Sequence, residues 1–281
     1  MRIANLHGRA ALVRDGLALD IEQASDGKFG PAPLGLYEDW DAFRAWAVDA
    51  DYSSALPFDD KDLGAPIPNP RQIFAIGLNY KDHADEASLP YPEHLFVFTK
   101  FQSSLAGPHA VVELPSETVD YEVELVAVVG KEMHKVDETE AWDGVAGLSV
   151  GQDFSEREIQ LRPPVPQFSL GKSFPNFSPF GPAVVTLDEL PDYEGLPLST
   201  VIEGQGPAGG WKVQDGNTRN MIFSVPQIIA ELSRVVTLFP GDLIFTGTPA
   251  GVGKAHGIAL QPGNVLTSTV EGIGSLRNEF V

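Results

Sequence analysis

Short apolar runs set off by glycine and proline are the main pattern along the chain. Ile73–Ile76, Leu95–Phe98, Glu124–Val129, Ala183–Leu187 and Leu243–Phe245 are examples, and 28 Gly and 23 Pro punctuate the sequence around them. Runs of this length bounded by turn residues predict strands, and long helices are few. Two segments carry the helical period instead. Asp39–Val48 puts Trp40, Phe43, Trp46 and Ala47 on one face. Pro226–Leu238 does the same with Ile228, Ile229, Leu232 and Val235, and stops at Pro240-Gly241. Tyr80–Leu89 predicts a short, exposed helix. The fold class that follows is β-rich mixed α+β.

Ala65-Pro66-Ile67-Pro68-Asn69-Pro70 reads as a stiff, extended connector and a candidate boundary. Residues 1–65 before it form a small N-terminal segment with strand patterns at Ala10–Val13 and Leu17–Ile21 and one helix. Residues 66–281 must hold the main core. Neither an internal repeat nor a low-complexity tract is visible.

Charge narrows the partners. The 281 residues carry 19 Lys and Arg against 39 Asp and Glu, a formal net charge of −20. A phosphate-backbone binder needs clustered cations, so neither nucleic acid nor an anionic membrane surface is expected. A small anionic substrate remains open if its site supplies positive charge of its own. Cysteine is absent, which removes disulfides, thiolate zinc sites and a cysteine nucleophile. Residues 1–20 hold no secretory apolar stretch, and no run approaches a membrane span, so a cytoplasmic location is the expectation by elimination.

Four motifs could carry chemistry. In Asp120-Tyr121-Glu122-Val123-Glu124-Leu125, period two places Glu122 and Glu124 on one face of a strand, with Tyr121, Val123 and Leu125 on the other. Adjacent carboxylates repel unless a hard cation such as Mg²⁺ or Mn²⁺ lies between them, although such pairs are commonly just solvated. Asp153 ends the apolar run Val145–Val150 and begins a polar turn; it is either a helix cap or a third carboxylate completing a facial set. His83 and Glu86 stand three apart, where Glu86 can orient the imidazole as a general base; on a polar helix this is also an ordinary surface pair. Thr246-Gly247-Thr248-Pro249-Ala250-Gly251-Val252-Gly253-Lys254 follows the strand ending at Phe245. It lacks phosphate-loop spacing and any dinucleotide fingerprint. It reads as a tight loop bringing backbone N–H groups and the Thr248 hydroxyl to a ligand carboxylate.

Taken in order, these blocks resemble the fumarylacetoacetate hydrolase family. The likeness runs through Ile76-Gly77-Leu78-Asn79-Tyr80 with His83 and Glu86, Phe98-Thr99-Lys100, Asp120–Leu125, Gly151–Gln160, Gly171-Lys172-Ser173-Phe174, Phe180-Gly181-Pro182, Gln214–Thr218 and Leu238–Gly253. It covers nearly all of residues 70–281. The resemblance implies a fumarylacetoacetase-like β-sandwich or β-roll that pairs into homodimers. It implies Glu122, Glu124 and Asp153 as ligands of Mg²⁺ or Mn²⁺, and His83 and Glu86 as a lid pair. Lys172 is implied as the active-site lysine, and Arg157, Gln160 and Thr248 as residues lining the substrate site. One departure is the extended hairpin Gln205–Lys212, with Gly206-Pro207-Ala208-Gly209-Gly210-Trp211 interposed where the family passes briefly from glycine to glutamine.

The implied reaction is hydrolysis of a C–C bond in a small 2,4-dioxo acid, an acylpyruvate such as fumarylpyruvate, through a metal-stabilised pyruvate enolate. Oxaloacetate decarboxylation and 2-hydroxy-dienoate isomerisation use related enolates and are the alternatives. An acidic dimer that binds a 2-oxo acid without turnover is a remote third, disfavoured because His83, Lys172 and all three carboxylates are present.

Overall fold

The computed structural model describes residues 1–207 and 209–281. Its centre is a 12-stranded sheet. Along the main path, the edge piece Leu56–Pro57 is followed by Leu17–Asp20, Arg9–Arg14 and Arg2–Leu6. Then come Ser178–Val185, Val145–Gln152, Val123–Val129, Leu243–Phe245, Ile73–Gly77 and the edge strand Phe96–Thr99. A second sheet of five strands orders Trp211–Asn217, Pro197–Glu203, Val265–Val270, Gly274–Phe280 and Val111–Val112. The β-rich α+β expectation and the layered sheets agree with this.

Strand Val123–Val129 shows why the sequence folds this way. Its seven residues are all buried. Val123, Leu125, Ala127 and Val129 face one core, with Leu198, Val270 and Leu276 of the smaller sheet and Ile228, Ile229 and Leu232 of helix Val225–Val235. Val126 and Val128 face another, with Tyr37, Trp40 and Phe43 of the N-terminal segment. Period two therefore divides one strand between two cores. Glu122 and Glu124 precede Val126 and Val128 on the same face.

Helix Trp40–Ala47 forms as its apolar period predicts, burying Trp40, Phe43 and Ala47. Helix Val225–Val235 starts on a capping box between Ser224 and Gln227, with proline in its first turn. It ends at Val235, short of the Leu238 that the periodicity suggests. The apolar period puts Val235 on the buried stripe, yet it is 81% exposed. The chain turns extended at Val236, so Val235 has no further turn to pack beneath it.

The proline-rich connector is largely built in. Ala65 and Ile67 are buried, and the Asn5 side chain donates to Ala65 O at 2.8 Å. Leu63–Gly64 pairs with Arg2–Leu6, which in turn pairs with Ser178–Val185. Strands Pro197–Glu203 and Trp211–Asn217 form the hairpin that carries Gln205–Lys212; Ala208 within it lies outside the described residues. Among the described residues, no helix is long and apolar enough to cross a membrane.

Candidate active site

Five neighbouring strands meet at one edge of the large sheet. Val123 pairs with Gln152, Val126 with Phe245, Phe245 with Ala75, and Gly77 with Phe96. The start of Val123–Val129 thus lies beside the ends of Val145–Gln152, Leu243–Phe245 and Ile73–Gly77. The loops leaving those ends carry Asp153, Thr248 and the short helix Lys81–Glu86.

Glu122 sits one residue before its strand, not inside it, because the chain pairs as Val119–Asp120 with Ser155–Glu156 and then shifts partner. Glu122 N–H donates to Gln152 Oε1 at 2.8 Å, and Asp153 N–H donates to Glu122 O at 2.9 Å. These bonds hold Glu122 and Asp153 against each other. One carboxylate oxygen each from Glu122, Glu124 and Asp153 lies within 4.8 Å of the others, and all three residues are buried.

Two lysines and an arginine hold this acid cluster. Lys172 Nζ bridges Glu122 Oε2 at 2.7 Å and Asp153 Oδ2 at 2.6 Å. Lys100 Nζ donates to Asp153 Oδ1 and to the Lys172 carbonyl. Arg157 reaches Glu122 Oε1 at 2.8 Å and Asp120 Oδ2 at 2.5 Å, and its Nη1 donates to Gln160 Oε1 at 2.9 Å. Glu124 has no cation within ion-pair range among the described residues; its Oε2 accepts the Gly247 N–H at 2.8 Å. Gly247 holds φ +98°, and a Cβ there would meet Asn79 Cβ at 2.8 Å, so only glycine brings that N–H in.

The electrostatics follow from these contacts. Burial would raise the Glu122 carboxyl, but Lys172 and Arg157 pull it well below its usual range. Glu124 goes the other way, raised by burial and then by the charges of Asp153 and Glu122. Burial lowers Lys172, and Asp153 with Glu122 more than restores it. Burial takes Lys100 down despite Asp153. Formally, Asp120, Glu122, Glu124 and Asp153 outnumber Lys100, Lys172 and Arg157 by one negative charge. A divalent cation would leave one positive charge, which one substrate carboxylate cancels. The oxygen donor set and the missing counter-charge at Glu124 both fit a hard divalent cation.

Above the cluster lies a cavity of about 590 Å³. Glu122, Lys172, Arg157, Gln160, Thr248, His83 and Glu86 all reach it. Glu124 and Asp153 sit behind that lining. His83 Nδ1 is 3.4 Å from Glu86 Oε2. Glu86 is tied on its other side, where Oε1 accepts the Gly251 N–H at 2.9 Å and lies 2.8 Å from His256 Nε2. Helix Lys81–Glu86 is shorter than Tyr80–Leu89 and less exposed than expected, since Ala84 is buried beneath it. The Thr248 hydroxyl donates to Val123 O at 2.8 Å and accepts from Gln214 Nε2 at 2.8 Å. Its proton is therefore not available to a ligand carboxylate, contrary to the expectation for this loop.

Sequence reasoning passed over four groups that the structure places here. Lys100 is one. Asp120 accepts the N–H groups of Gly253 and Lys254 at 2.7 and 2.9 Å besides binding Arg157. Gln214 accepts from Val123 N–H and the Thr200 hydroxyl, both at 3.0 Å. His256 meets Glu86. Asp120 shares the period-two face of Glu122 and Glu124, and Lys100 and Gln214 stand in the resembling blocks, so each had a signal. His256 had none.

Three convergent carboxylates, two buried lysines and a His–Glu pair around one cavity define a candidate catalytic centre of the divalent-cation type. The family profile described as fumarylacetoacetate (FAA) hydrolase C-terminal matches residues 72–281. The chain belongs to the fumarylacetoacetate hydrolase family, whose members are generally dependent on a divalent metal. A human mitochondrial oxaloacetate tautomerase is 39% identical over 230 residues, covering 80% of this chain and 71% of the relative. A Mycobacterium smegmatis crystal structure aligns at TM-score 0.92 and 48% identity over 100% of this chain and 99% of that one. A Sphingobium maleylpyruvate hydrolase aligns at TM-score 0.80 and 27% identity, with 100% and 99% coverage.

Proposed function

We propose that this protein hydrolyses the C–C bond of a small acylpyruvate, with Glu122, Glu124 and Asp153 holding Mg²⁺ or Mn²⁺. The observation that carries this reading is the shared cavity: His83, steadied by Glu86, opens onto the same space as Lys172. When bound, the cation supplies Lewis acidity to the 2-oxo group. His83 takes a proton from water, and the oxygen attacks the carbonyl farther from the carboxylate. The bond between that carbon and the pyruvate methylene breaks, its electron pair moves into the enolate, and a proton returns to carbon to leave pyruvate and a carboxylic acid. The Lys172 ammonium faces the charge developing on oxygen. Apolar walls from Leu78, Leu89, Phe96, Phe98, Leu161 and Phe168 suit an acyl chain better than the four carbons of oxaloacetate alone.

The human relative supports a second reading, keto–enol tautomerisation of oxaloacetate. There a proton moves between carbon and oxygen, no water is consumed and no C–C bond breaks. Product analysis separates the two. With Mg²⁺ loaded, the hydrolase releases pyruvate from an acylpyruvate, and His83→Ala lowers kcat/KM by about 10²-fold or more, the range of general-base catalysis. Glu124→Gln abolishes metal-dependent turnover. Loss of the oxaloacetate enol absorbance with total oxaloacetate conserved, and no pyruvate from any acylpyruvate, would sink the hydrolase and favour the tautomerase; loss of oxaloacetate with release of pyruvate and carbon dioxide would favour decarboxylation instead.

A further inference from the structure

We infer that His256 is a positioning residue for the general base: it selects the oxygen of Glu86 that serves His83, and so fixes the His83 tautomer. The inference rests on the hydrolytic reading and adds to it a residue outside the cavity. His256 does not line that space, although Val252, Lys254 and Ala255 of the same segment do. Its contribution therefore passes through Glu86.

Among the described residues, one backbone N–H and two imidazoles meet the Glu86 carboxylate. The Gly251 N–H lies across both oxygens, 2.9 Å from Oε1 and 3.2 Å from Oε2, so it holds the group without choosing between them. His256 Nε2 is 2.8 Å from Oε1, and His83 Nδ1 is 3.4 Å from Oε2. A carboxylate only accepts hydrogen bonds, so each imidazole donates from the nitrogen that faces it. With Oε1 taken by His256 and Gly251, Oε2 is left for His83. A proton held on His83 Nδ1 leaves the Nε2 lone pair to take a proton from water. Without His256, the carboxylate could swing on the shared Gly251 N–H, and that assignment would be lost.

The chain around His256 is held at both ends. His256 closes the short helix Gly253–His256, whose first N–H groups, from Gly253 and Lys254, donate to the buried Asp120 at 2.7 and 2.9 Å. Gly257 ends the helix in the left-handed conformation, at φ +67°, and the Ile258 N–H closes back on Gly253 O at 2.9 Å. Asp120 also binds Arg157. The His256–Glu86 contact thus ties helix Lys81–Glu86 to a segment already anchored on the buried cluster. The His256 side chain is 52% exposed, so its pairing with Glu86 adds little to stability. Its effect is on the orientation of Glu86.

The test compares His256→Ala with His256→Gln in the full-length, Mg²⁺-loaded protein. Glutamine can place an N–H donor where His256 Nε2 stands, and alanine cannot. Nitrogen NMR of labelled protein reads the His83 ring, assigned by its loss in His83→Ala. The ring should hold its proton on Nδ1 in wild type and in His256→Gln, and share it between both nitrogens in His256→Ala. With an acylpyruvate, His256→Ala should lower kcat about tenfold and move KM less than about twofold, as loss of an orienting partner does. His256→Gln should stay within about threefold of wild type. On a His83→Ala background, His256→Ala should cost nothing further, because its effect runs through His83. An unchanged His83 spectrum in His256→Ala, an equal loss on both backgrounds, or a loss that glutamine does not rescue overturns the role. If wild type releases no pyruvate from any acylpyruvate, the hydrolytic reading fails, and the His83 spectrum alone then decides whether His256 sets the tautomer.

Discussion

Lys100 shows what one residue does for the whole centre. Lysine is seldom fully buried unless paired, yet Lys100 is 3% exposed, with its ammonium on Asp153 and on the carbonyl of Lys172. It fixes one oxygen of Asp153 and anchors the backbone of the lysine that grips the other. Breaking such a buried pair by deleting one partner costs roughly 3–5 kcal/mol, because the remaining charge is stranded. Lys100→Met should therefore lower the stability of the chelated protein by about that amount in urea unfolding. Mg²⁺ should restore part of it, since a cation at the cluster relieves Asp153. A change below about 1 kcal/mol without metal, within the ordinary range of point substitutions, would show that Asp153 does not depend on this lysine. Nothing in the period of Leu95–Phe98 says that the residue two positions on turns inward. A lysine just beyond an apolar strand is usually at the surface, and only its place in a resembling block marked it.

At the scale of elements, the strands were legible because alternation and glycine or proline stops are local facts. The site was legible only in part, because its convergence is not local. Val126 and Phe245 pair across one strand interface, yet no spacing rule connects residues so far apart in the chain. Helix ends follow packing as well as sequence, which is why Val235 emerges into solvent. Glu156 illustrates an element held by its cap. Its carboxylate accepts from the Thr118 and Ser116 hydroxyls at 2.6 and 2.9 Å and from the Ile159 N–H at 2.7 Å. It caps the short helix Arg157–Gln160, which presents Arg157 and Gln160 to the cavity. Burial would raise this carboxyl, but those hydrogen bonds take it below its ordinary value of 4.5. The folded pKa is depressed, so the stabilisation is fully present above 4.5 and is lost as pH falls through the folded value. Glu156→Gln should cost about 1–2 kcal/mol at pH 7, the worth of a lost cap. The gap between wild type and variant should close as the pH drops below 4.5, read from thermal midpoints across that range. A gap that stays constant with pH would mean that the carboxylate charge contributes nothing.

The whole molecule ties residues 1–65 to the site through one continuous sheet. Arg2 and Ile3 pair with Val185 and Val184. Ile3, Leu12, Leu19, Trp40 and Phe43 share a core with Val126, Val128, Phe180, Leu243 and Phe245. Phe245 leads directly into Thr246 and Gly247, and the Gly247 N–H is the contact that holds Glu124. Removing the N-terminal segment would strip the cover from one face of Val123–Val129 and leave an edge of Ser178–Val185 unpaired. Exposed apolar faces and open strand edges drive aggregation. A fragment of residues 66–281 expressed alone should therefore be insoluble, or collapsed without a cooperative unfolding transition. Co-expressing residues 1–65 as a separate chain should recover soluble protein, because the missing strand and apolar cover can be supplied in trans. The loss should include Mg²⁺ binding as well as stability, since the loop that positions Glu124 starts from the uncovered core. A soluble 66–281 fragment that unfolds cooperatively and binds Mg²⁺ like the full chain would show that the N-terminal segment is dispensable, and that the acid cluster is positioned by the remaining strands alone.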